Sequence, residues 1–455
     1  MGITVNTSAL LSSGGFDVQS LVDAMIQADE APEQSWKTQL QTAQSQASAL
    51  NSLSSQLSNL SNDAEVLNDY TGALAARSTT SSDESVVTAT ATAGSAVGDH
   101  TVTVTDLASK ASYYSTTQAA TGDTTFSGGG TLSIKVGSGK TQTIDLGTYN
   151  TLNKVASQIN ALSPGVTANV VNDSTGAILS VVGDNTGKAN DVTLTTSAGA
   201  ALSFNQTSSG KDASYSVDGV PLTSATNQVT GVLSGVTLQL VGRSADPVDV
   251  SIGANTQAAS QAIGNFVNDY NAIISSINSQ FAYDSSTNSA GVLSGDSVVR
   301  NLQEQLLQAV SSGTASSGSI NGLFSLGITM NDDGTLSLDS SALNSALSSN
   351  FSDVQNFLQN TTNGFALQMS NLLTTLNDPT SGAIVVDLSG ITDTENSLND
   401  SINNFEANMS VLRQQLVDQL TQASNALQQL PLMEAQISAE LGQMPSTSNN
   451  NNQSS

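Results

Sequence analysis

The spacing of apolar residues changes twice along the chain, and this change restricts the possible folds more than any other feature. At 40–74, and again at 398–430, apolar or small residues recur at steps of three and four, which is the period of helices that pack along one seam. Between about 78 and 256, apolar and polar residues alternate instead, as in strands with one buried face. We therefore predict an α+β multidomain protein whose β-rich, sandwich-like region is inserted between two halves of a helical stalk.

The two ends of the chain carry further local signals. Asp17 is a predicted N-cap for a short helix with one apolar stripe, and Pro32 is expected to end or kink that helix. The last ten residues, 446–455, are all Ser, Thr, Asn or Gln, which predicts a disordered tail. The terminal stripes have few neighbouring elements to cover them, so an intermolecular role is favoured over burial within one subunit.

We assign the predicted contact surface to these two stripes. The expected contact residues share apolar character and helical spacing near a chain end. They are Leu21, Val22, Met25, Ile26, Leu412, Leu416, Leu427, Leu430, Ile437 and Leu441.

Charge and cysteine content exclude several classes of protein. The 11 Lys and Arg face 38 Asp and Glu, a net charge of −27, which repels nucleic acids and anionic membrane surfaces. There is no Cys, so neither disulfides nor thiolate metal sites are available. The first residues do not resemble a cleavable signal peptide, and no apolar run is long enough to insert into a membrane. We expect a soluble chain, or one that leaves the cell by a route independent of a signal peptide.

Local motifs that suggest chemistry all have simpler interpretations. The run GSGKT at 137–141 lacks the first glycine of a phosphate loop, and NDDG at 331–334 lacks the closing Glu of a calcium loop. Both predict hairpin turns. His100 is the only histidine and is predicted to lie on the surface where a strand starts. We predict no catalytic residue, no metal site and no cofactor.

Several segments, in order along the chain, resemble one known family. The chain reads SGGFDV at 13–18, YNTL at 149–152, GVTA at 165–168, VDGV at 217–220, LSGVTL at 233–238, FVNDYN at 266–271 and LSGDS at 293–297. Over nearly the whole chain, this pattern is similar to the flagellar filament cap family, hook-associated protein 2. Two departures are Glu33, where the family commonly has an apolar residue after the proline, and the segment 413–416, which lacks the aromatics often found there.

The resemblance implies a subunit with a coiled-coil leg made of both chain ends, a helical domain, and two β-rich heads, one inserted in the other. The implied division is a leg segment at 1–46, the helical domain at 47–77 and 258–405, the first head at 78–121 and 208–257, the inserted head at 122–207, the C-terminal leg at 406–445 and the tail at 446–455.

The resemblance also implies partners and a location. Copies of the chain are expected to form a ring, with a pentamer as the expected number. Further expected partners are flagellin, the other hook-associated proteins, and the flagellar type III export apparatus with its chaperone. The expected location is the extracellular tip of the flagellum. Nucleic acid and membrane insertion are not expected.

Three other interpretations remain open at this point. Another axial protein, such as a hook-filament junction protein or a flagellin, would share helical ends around a β middle. A surface adhesin could bind host glycans or mucin through the β modules. A hydrolase with a carboxylate pair is the last alternative, since spatial pairing of acidic residues is not visible in a sequence.

Overall fold

Helices form both ends of the described chain, and strands form its middle. The structure, a computed structural model, describes residues 17–286, 289–312 and 318–442. Its helices are α1 Val18–Asp29, α2 Ala31–Asn68, α3 Leu152–Leu162, α4 Thr256–Phe281, α5 Ser297–Ser311, α6 Ser340–Ser349, α7 Phe351–Gln359, α8 Phe365–Leu376 and α9 Ala383–Gly442. The break between α1 and α2 falls at Glu30, with Pro32 in the first turn of α2, which confirms the predicted role of that proline.

Short antiparallel strands make up the β region. They are β1 Arg77–Ser81, β2 Val87–Ala91, β3 Gly98–Asp106, β4 Ser112–Ser115, β5 Thr131–Val136, β6 Gln142–Asp145, β7 Val166–Asp173, β8 Gly176–Gly183, β9 Val192–Thr196, β10 Phe204–Ser208, β11 Ala213–Val217, β12 Val220–Ser224, β13 Gln228–Thr230, β14 Val236–Leu240 and β15 Val248–Ala254, followed by the short strands β16 Tyr283–Asp284, β17 Ser289–Ala290, β18 Ile328–Met330 and β19 Leu336–Leu338.

The helical domain has a single apolar core to which both halves of the chain contribute. The seam predicted at 40–74 is confirmed, because Leu50, Leu53, Leu57 and other residues at that spacing on α2 are buried there. They pack with residues of α4 to α8 and with Ile384 near the start of α9. Leu74 is also buried in this core, but α2 ends at Asn68, so Leu74 lies in the turns that follow the helix.

The first head module consists of two sheets that share one core. One sheet has the strand order β1-β15-β3-β11-β12, and the other has the order β13-β14-β2. Strands β1 and β15 pair in antiparallel register from Arg77 opposite Ala254 to Ser81 opposite Val250. Because β1 follows α2 and β15 precedes α4, this pairing brings the entry and exit of the head together at the helical domain.

The inserted module has a core of its own. Its sheets have the orders β10-β4-β8-β7 and β6-β5-β9, and α3 packs on the same core. The pattern in β8 is the alternation expected of a half-buried strand, with Ala177, Leu179, Val181 and Gly183 buried. We expected this module to begin at 122, but β4 already pairs with β8 and β10 before that position. The sequence of β4, Ser-Tyr-Tyr-Ser, has no apolar alternation that would indicate these long-range pairings.

Candidate assembly surface

The leg begins with a helix whose start is fixed locally. The Asp17 carboxylate accepts hydrogen bonds from the backbone N–H groups of Gln19 at 3.1 Å and Ser20 at 3.3 Å, which confirms the predicted N-cap. A hydrogen bond from the Ser20 hydroxyl is the main reason why the pKa of Asp17 is lowered. Phe16, which precedes this cap in the sequence, lies outside the described residues.

Helix α1 and the first turns of α2 run antiparallel to α9. The Trp36 ring meets the Phe405 ring edge-on, with centroids 5.7 Å apart. Further along, Asp23 Oδ1 forms an ion pair with Arg413, 2.6 Å from its guanidinium Nη2. As residue numbers fall in the N-terminal segment they rise in α9, so the two chain ends form one leg, as the resemblance implied.

A lysine adds an ion pair to this contact. Lys37 pairs with Glu33 within α2 and with Glu406 of α9 at 3.2 Å. The hydrogen bond to Glu33, followed by that to Glu406, raises the pKa of Lys37. Lys37 and Glu406 are about half exposed, whereas Glu33 is buried. The exposed pair between Lys37 and Glu406 therefore orients the leg more than it stabilises it.

The structure separates the predicted contact residues into two groups. The first group lies where α1 and the first turns of α2 pack against residues 402–416 of α9, which we call the root of the leg. Val22 is fully buried and Ile26 is 5% exposed, and α1 packs mainly on α9. Leu21, Leu412 and Leu416 are half-buried. Val22 and Ile26 are therefore part of the fold of the leg itself, whereas Met25, at 38% exposed, remains accessible.

The second group forms an exposed apolar stripe on the last turns of α9. Leu427, Leu430, Ile437 and Leu441 are between 50% and 60% exposed. At 100° per residue these four lie on one face, which we call the distal stripe. Every residue from 425 to 441 is exposed. This exposed segment is about 25 Å of helix in length. Residues 1–16 and 443–445, which the resemblance assigns to the leg, and the predicted disordered tail at 446–455 lie outside the described residues.

Sequence reasoning missed some features of this region. Leu432 and Met433 are also strongly exposed, at 68% and 51%, but they fall off the seam that guided the prediction. Pro431 lies inside α9, a position where proline removes a backbone hydrogen bond and bends a helix. The ion pair of Arg413 had a signal in the sequence, because Arg413 is the single basic residue from 405 to 455.

The charge on the distal part of α9 restricts what can dock there. Residues 414–442 carry Asp418, Glu434 and Glu440 and no basic side chain. Glu434 occupies a seam position between Leu430 and Ile437. A partner must therefore cover an apolar stripe while leaving Glu434 solvated or meeting it with a hydrogen-bond donor.

The motifs considered for chemistry form structural features instead. Residues 137–141 connect the paired strands β5 and β6, and residues 331–334 connect β18 and β19, which confirms both predicted turns. His100 lies in β3, where its Nδ1 is 2.8 Å from Asp218 Oδ2 in the turn after β11. In the described parts of the chain, no three His, Asp or Glu residues come together as metal ligands would. No helix of those parts has the length and apolar character to cross a membrane.

Replacing Trp36 with alanine should loosen the root of the leg. We expect a loss of about 1–2 kcal/mol, less than for a fully buried aromatic, because Trp36 is half-buried and its main ring contact is Phe405. Hydrogen exchange should become faster in α1 and around residues 402–416. The control is Gln39→Ala on the exposed face of α2. Unchanged exchange in the Trp36 variant would contradict the packing described for the leg root.

Comparisons with known proteins agree on one family. Residues 14–111 match the family model "Flagellar hook-associated protein 2 N-terminus", and residues 210–431 match the corresponding C-terminus model. The segment between them, 112–209, is the inserted module. An A-type flagellar hook-associated protein 2 from Pseudomonas aeruginosa is 28% identical over 95% of this chain and 97% of its own length. The flagellar hook-associated protein 2 of Escherichia coli K12 is 30% identical over 76% of this chain and 79% of its own length.

A solved structure shows the same architecture. The crystal structure of the D1-D2-D3 domains of the flagellar cap protein from Escherichia coli superposes with a TM-score of 0.58 at 27% identity. The match covers 76% of this chain and 99% of that chain. The similarity therefore extends over about three quarters of the chain.

Proposed function

Because the chain belongs to the flagellar hook-associated protein 2 family, a structural family of the flagellum and not an enzyme family, we propose that it caps the growing end of a flagellar filament. In this proposal it acts as a ring of copies, with five as the expected number, and promotes the folding and addition of exported flagellin. The mechanism is steric and mechanical, since reversible apolar contacts hold the cap while each new subunit is inserted.

One observation carries this proposal beyond family membership. The distal stripe extends an otherwise packed leg with about four turns of helix whose apolar side chains are exposed. Burying a Leu or Ile side chain is worth roughly 1.5–3 kcal/mol. Four such side chains, each only partly buried on docking, give a contact that is strong enough to hold and weak enough to release.

The remaining partners follow from the same proposal. Flagellin and neighbouring copies of the chain would contact the leg and the helical domain, and the other hook-associated proteins would precede the cap during assembly. The flagellar type III export apparatus and its chaperone would deliver the chain, and the extracellular filament tip would be its location.

Complementation tests the proposed function. In the source strain with this gene deleted, flagellin should accumulate in the medium as monomer, and restoring the full chain should restore filaments. Labelled protein should lie at the distal end of each filament. Label at the filament base would instead favour a junction protein, and normal filaments in the deletion strain would rule out a capping role.

A second candidate function is adhesion to host glycans or mucin. A shallow groove beside α3 is lined by Tyr149, Asn153, Lys154, Ser157 and Gln158, and an aromatic ring beside amide and hydroxyl groups suits a sugar. A glycan array with the full chain tests this function, with Tyr149→Ala as the comparison. Equal array signals for both proteins, or no signal for either, would remove the groove as a glycan site.

A further inference from the structure

Two pairs of aspartates bridge helices of the helical domain. Asp63 on α2 faces Asp269 on α4, and Asp387 near the start of α9 faces Asp296, the N-cap of α5. All four residues are half-buried. In each pair, one carboxyl oxygen, Oδ2 of Asp63 or Oδ2 of Asp387, is buried without a hydrogen-bond partner among the described residues. An ionised carboxylate in that position is costly, whereas a protonated one can donate to the facing carboxylate.

The surroundings supply no cation to compensate these carboxylates. Residues 50–76 and 256–405 contain 16 Asp and Glu, and Arg300 is the single basic residue among them. The Arg300 guanidinium lies over the Phe281 ring, 5.7 Å from its centroid. Within these ranges, the other charged or titratable groups on the elements packed around the two pairs are acidic or phenolic: Glu65 and Asp69 on and after α2, Tyr270 on α4, Glu304 on α5, Asp353 on α7, and Asp393, Glu395 and Asp400 on α9. The basic residues of the same two long helices, Lys37 of α2 and Arg413 of α9, lie in the leg, where Lys37 pairs with Glu33 and Glu406 and Arg413 pairs with Asp23. Helix α8, which also packs on α2, contains no charged residue.

Within each pair, one member is suited to hold the proton. Asp296 Oδ1 accepts the backbone N–H groups of Val298 at 2.7 Å and Val299 at 3.3 Å, so Asp296 is already engaged as the N-cap acceptor, whereas Asp387 Oδ2 has no hydrogen-bond partner among the described residues. The pKa of Asp387 is raised to about 6, mainly by burial and to a smaller extent by the facing Asp296. The pKa of Asp63 is likewise raised to about 6, mainly by burial and to a smaller extent by the charge of Asp269.

We propose that these two pairs act as an acid-tightened latch, in which a proton shared within each pair holds α2 to α4 and the start of α9 to α5, and in which loss of the protons loosens both contacts. The latch does not depend on the proposed function. Because α9 continues into the leg, the Asp387 pair sets how firmly the leg helix is anchored to the helical domain.

Because the pKa values of Asp63 and Asp387 are raised in the folded state, the stability of the helical domain should decrease as pH rises. An aspartate in an unfolded chain titrates near pH 4, whereas Asp63 and Asp387 have a folded-state pKa of about 6. Between these values the folded state binds more protons than the unfolded state, so its stability falls as pH rises through this window. Above about pH 7 both groups are ionised in both states, and their destabilising effect no longer changes.

The test compares the full chain with variants that imitate the protonated form. Asn is uncharged and donates a hydrogen bond, so Asp63→Asn with Asp387→Asn should stabilise the helical domain at pH 7.5 and change it little at pH 5. The wild-type helical-domain transition should melt at least about 4 °C higher at pH 5 than at pH 7.5. In the double variant this difference should fall by more than half. The control, Asp393→Asn, removes an equal charge from an exposed site on α9 and should keep the wild-type pH response.

Hydrogen-exchange protection factors give a second measurement that does not require assignment of the melting transitions. In the wild type, α4 and the first turns of α9 should be better protected at pH 5 than at pH 7.5. Each single variant should remove this difference only at its own pair, which keeps the test valid if the double variant does not fold. The latch would be refuted by equal wild-type protection at both pH values, by variants that keep the full pH response, or by a control that loses it.

Discussion

Replacing Leu430 and Ile437 with aspartate is expected to leave a folded, exported protein that no longer supports filament growth. Both side chains lie on the distal stripe and are more than half exposed in the subunit, so the substitutions remove little packing within the chain. In the assembled cap, each variant would place an unpaired carboxylate in an apolar contact, at a cost of several kcal/mol. Since 1.4 kcal/mol is about tenfold in affinity, two such changes should abolish docking of the leg. Flagellin should then appear in the medium as monomer, and the cells should swim poorly.

The matched control changes the same charge on the opposite face of the same helix. Gln428→Asp with Gln436→Asp adds two carboxylates within the same turns of α9 but away from the distal stripe. This variant should form filaments nearly as well as the wild type. If both double variants failed equally, charge on the leg would be responsible, and the distal stripe would lose its assigned role. A comparable change at Leu21 and Met25 is less informative, because Leu21 is half-buried in the leg root.

Replacing Phe266 with alanine should have the largest effect on stability. Phe266 is 1% exposed and meets Phe365 edge-on, with ring centroids 5.6 Å apart. Phe365 in turn stacks on Phe357, so the cavity would open where α4, α7 and α8 meet. Phe→Ala in a core costs about 3–5 kcal/mol, a large part of the roughly 5–15 kcal/mol that stabilises a domain. Calorimetry should show a lower transition for the helical domain and little change for the heads.

A substitution in another core provides the comparison. Leu179 is fully buried in the inserted module, and Leu179→Ala should cost about 2–5 kcal/mol there. Only the transition of the inserted module should shift, because distant sites with no shared contacts behave additively. If either variant shifted all transitions together, the three cores would not unfold separately and the modular description would be wrong.

Periodicity predicted those parts of the fold that depend on local sequence. The seam on α2, the cap at Asp17, the break near Pro32 and the strand alternation of β8 each reflect which face of a single element is buried. The two loop motifs were also identified as turns, because their flanking residues have strand character. These features need no knowledge of which distant segment supplies the partner surface.

Features that depend on long-range contacts were not predictable in the same way. The inserted module begins before the expected boundary because β4 is fixed by pairing with β8 and β10, which its own residues do not indicate. The contact of Trp36 with Phe405 and the facing of Asp63 and Asp269 join residues far apart in sequence. For the same reason, the sequence alone places Val22 and Leu430 in one group of contact residues. In the structure Val22 is covered by α9, whereas Leu430, on α9 itself, is exposed.

The most direct test of the account is an electron-microscopy reconstruction of the protein bound to the end of a filament. We predict a ring of copies whose legs point towards the filament, with Leu430 and Ile437 of α9 buried against filament subunits. A cap held only by its heads and helical domains, with the distal stripe facing solvent, would contradict it.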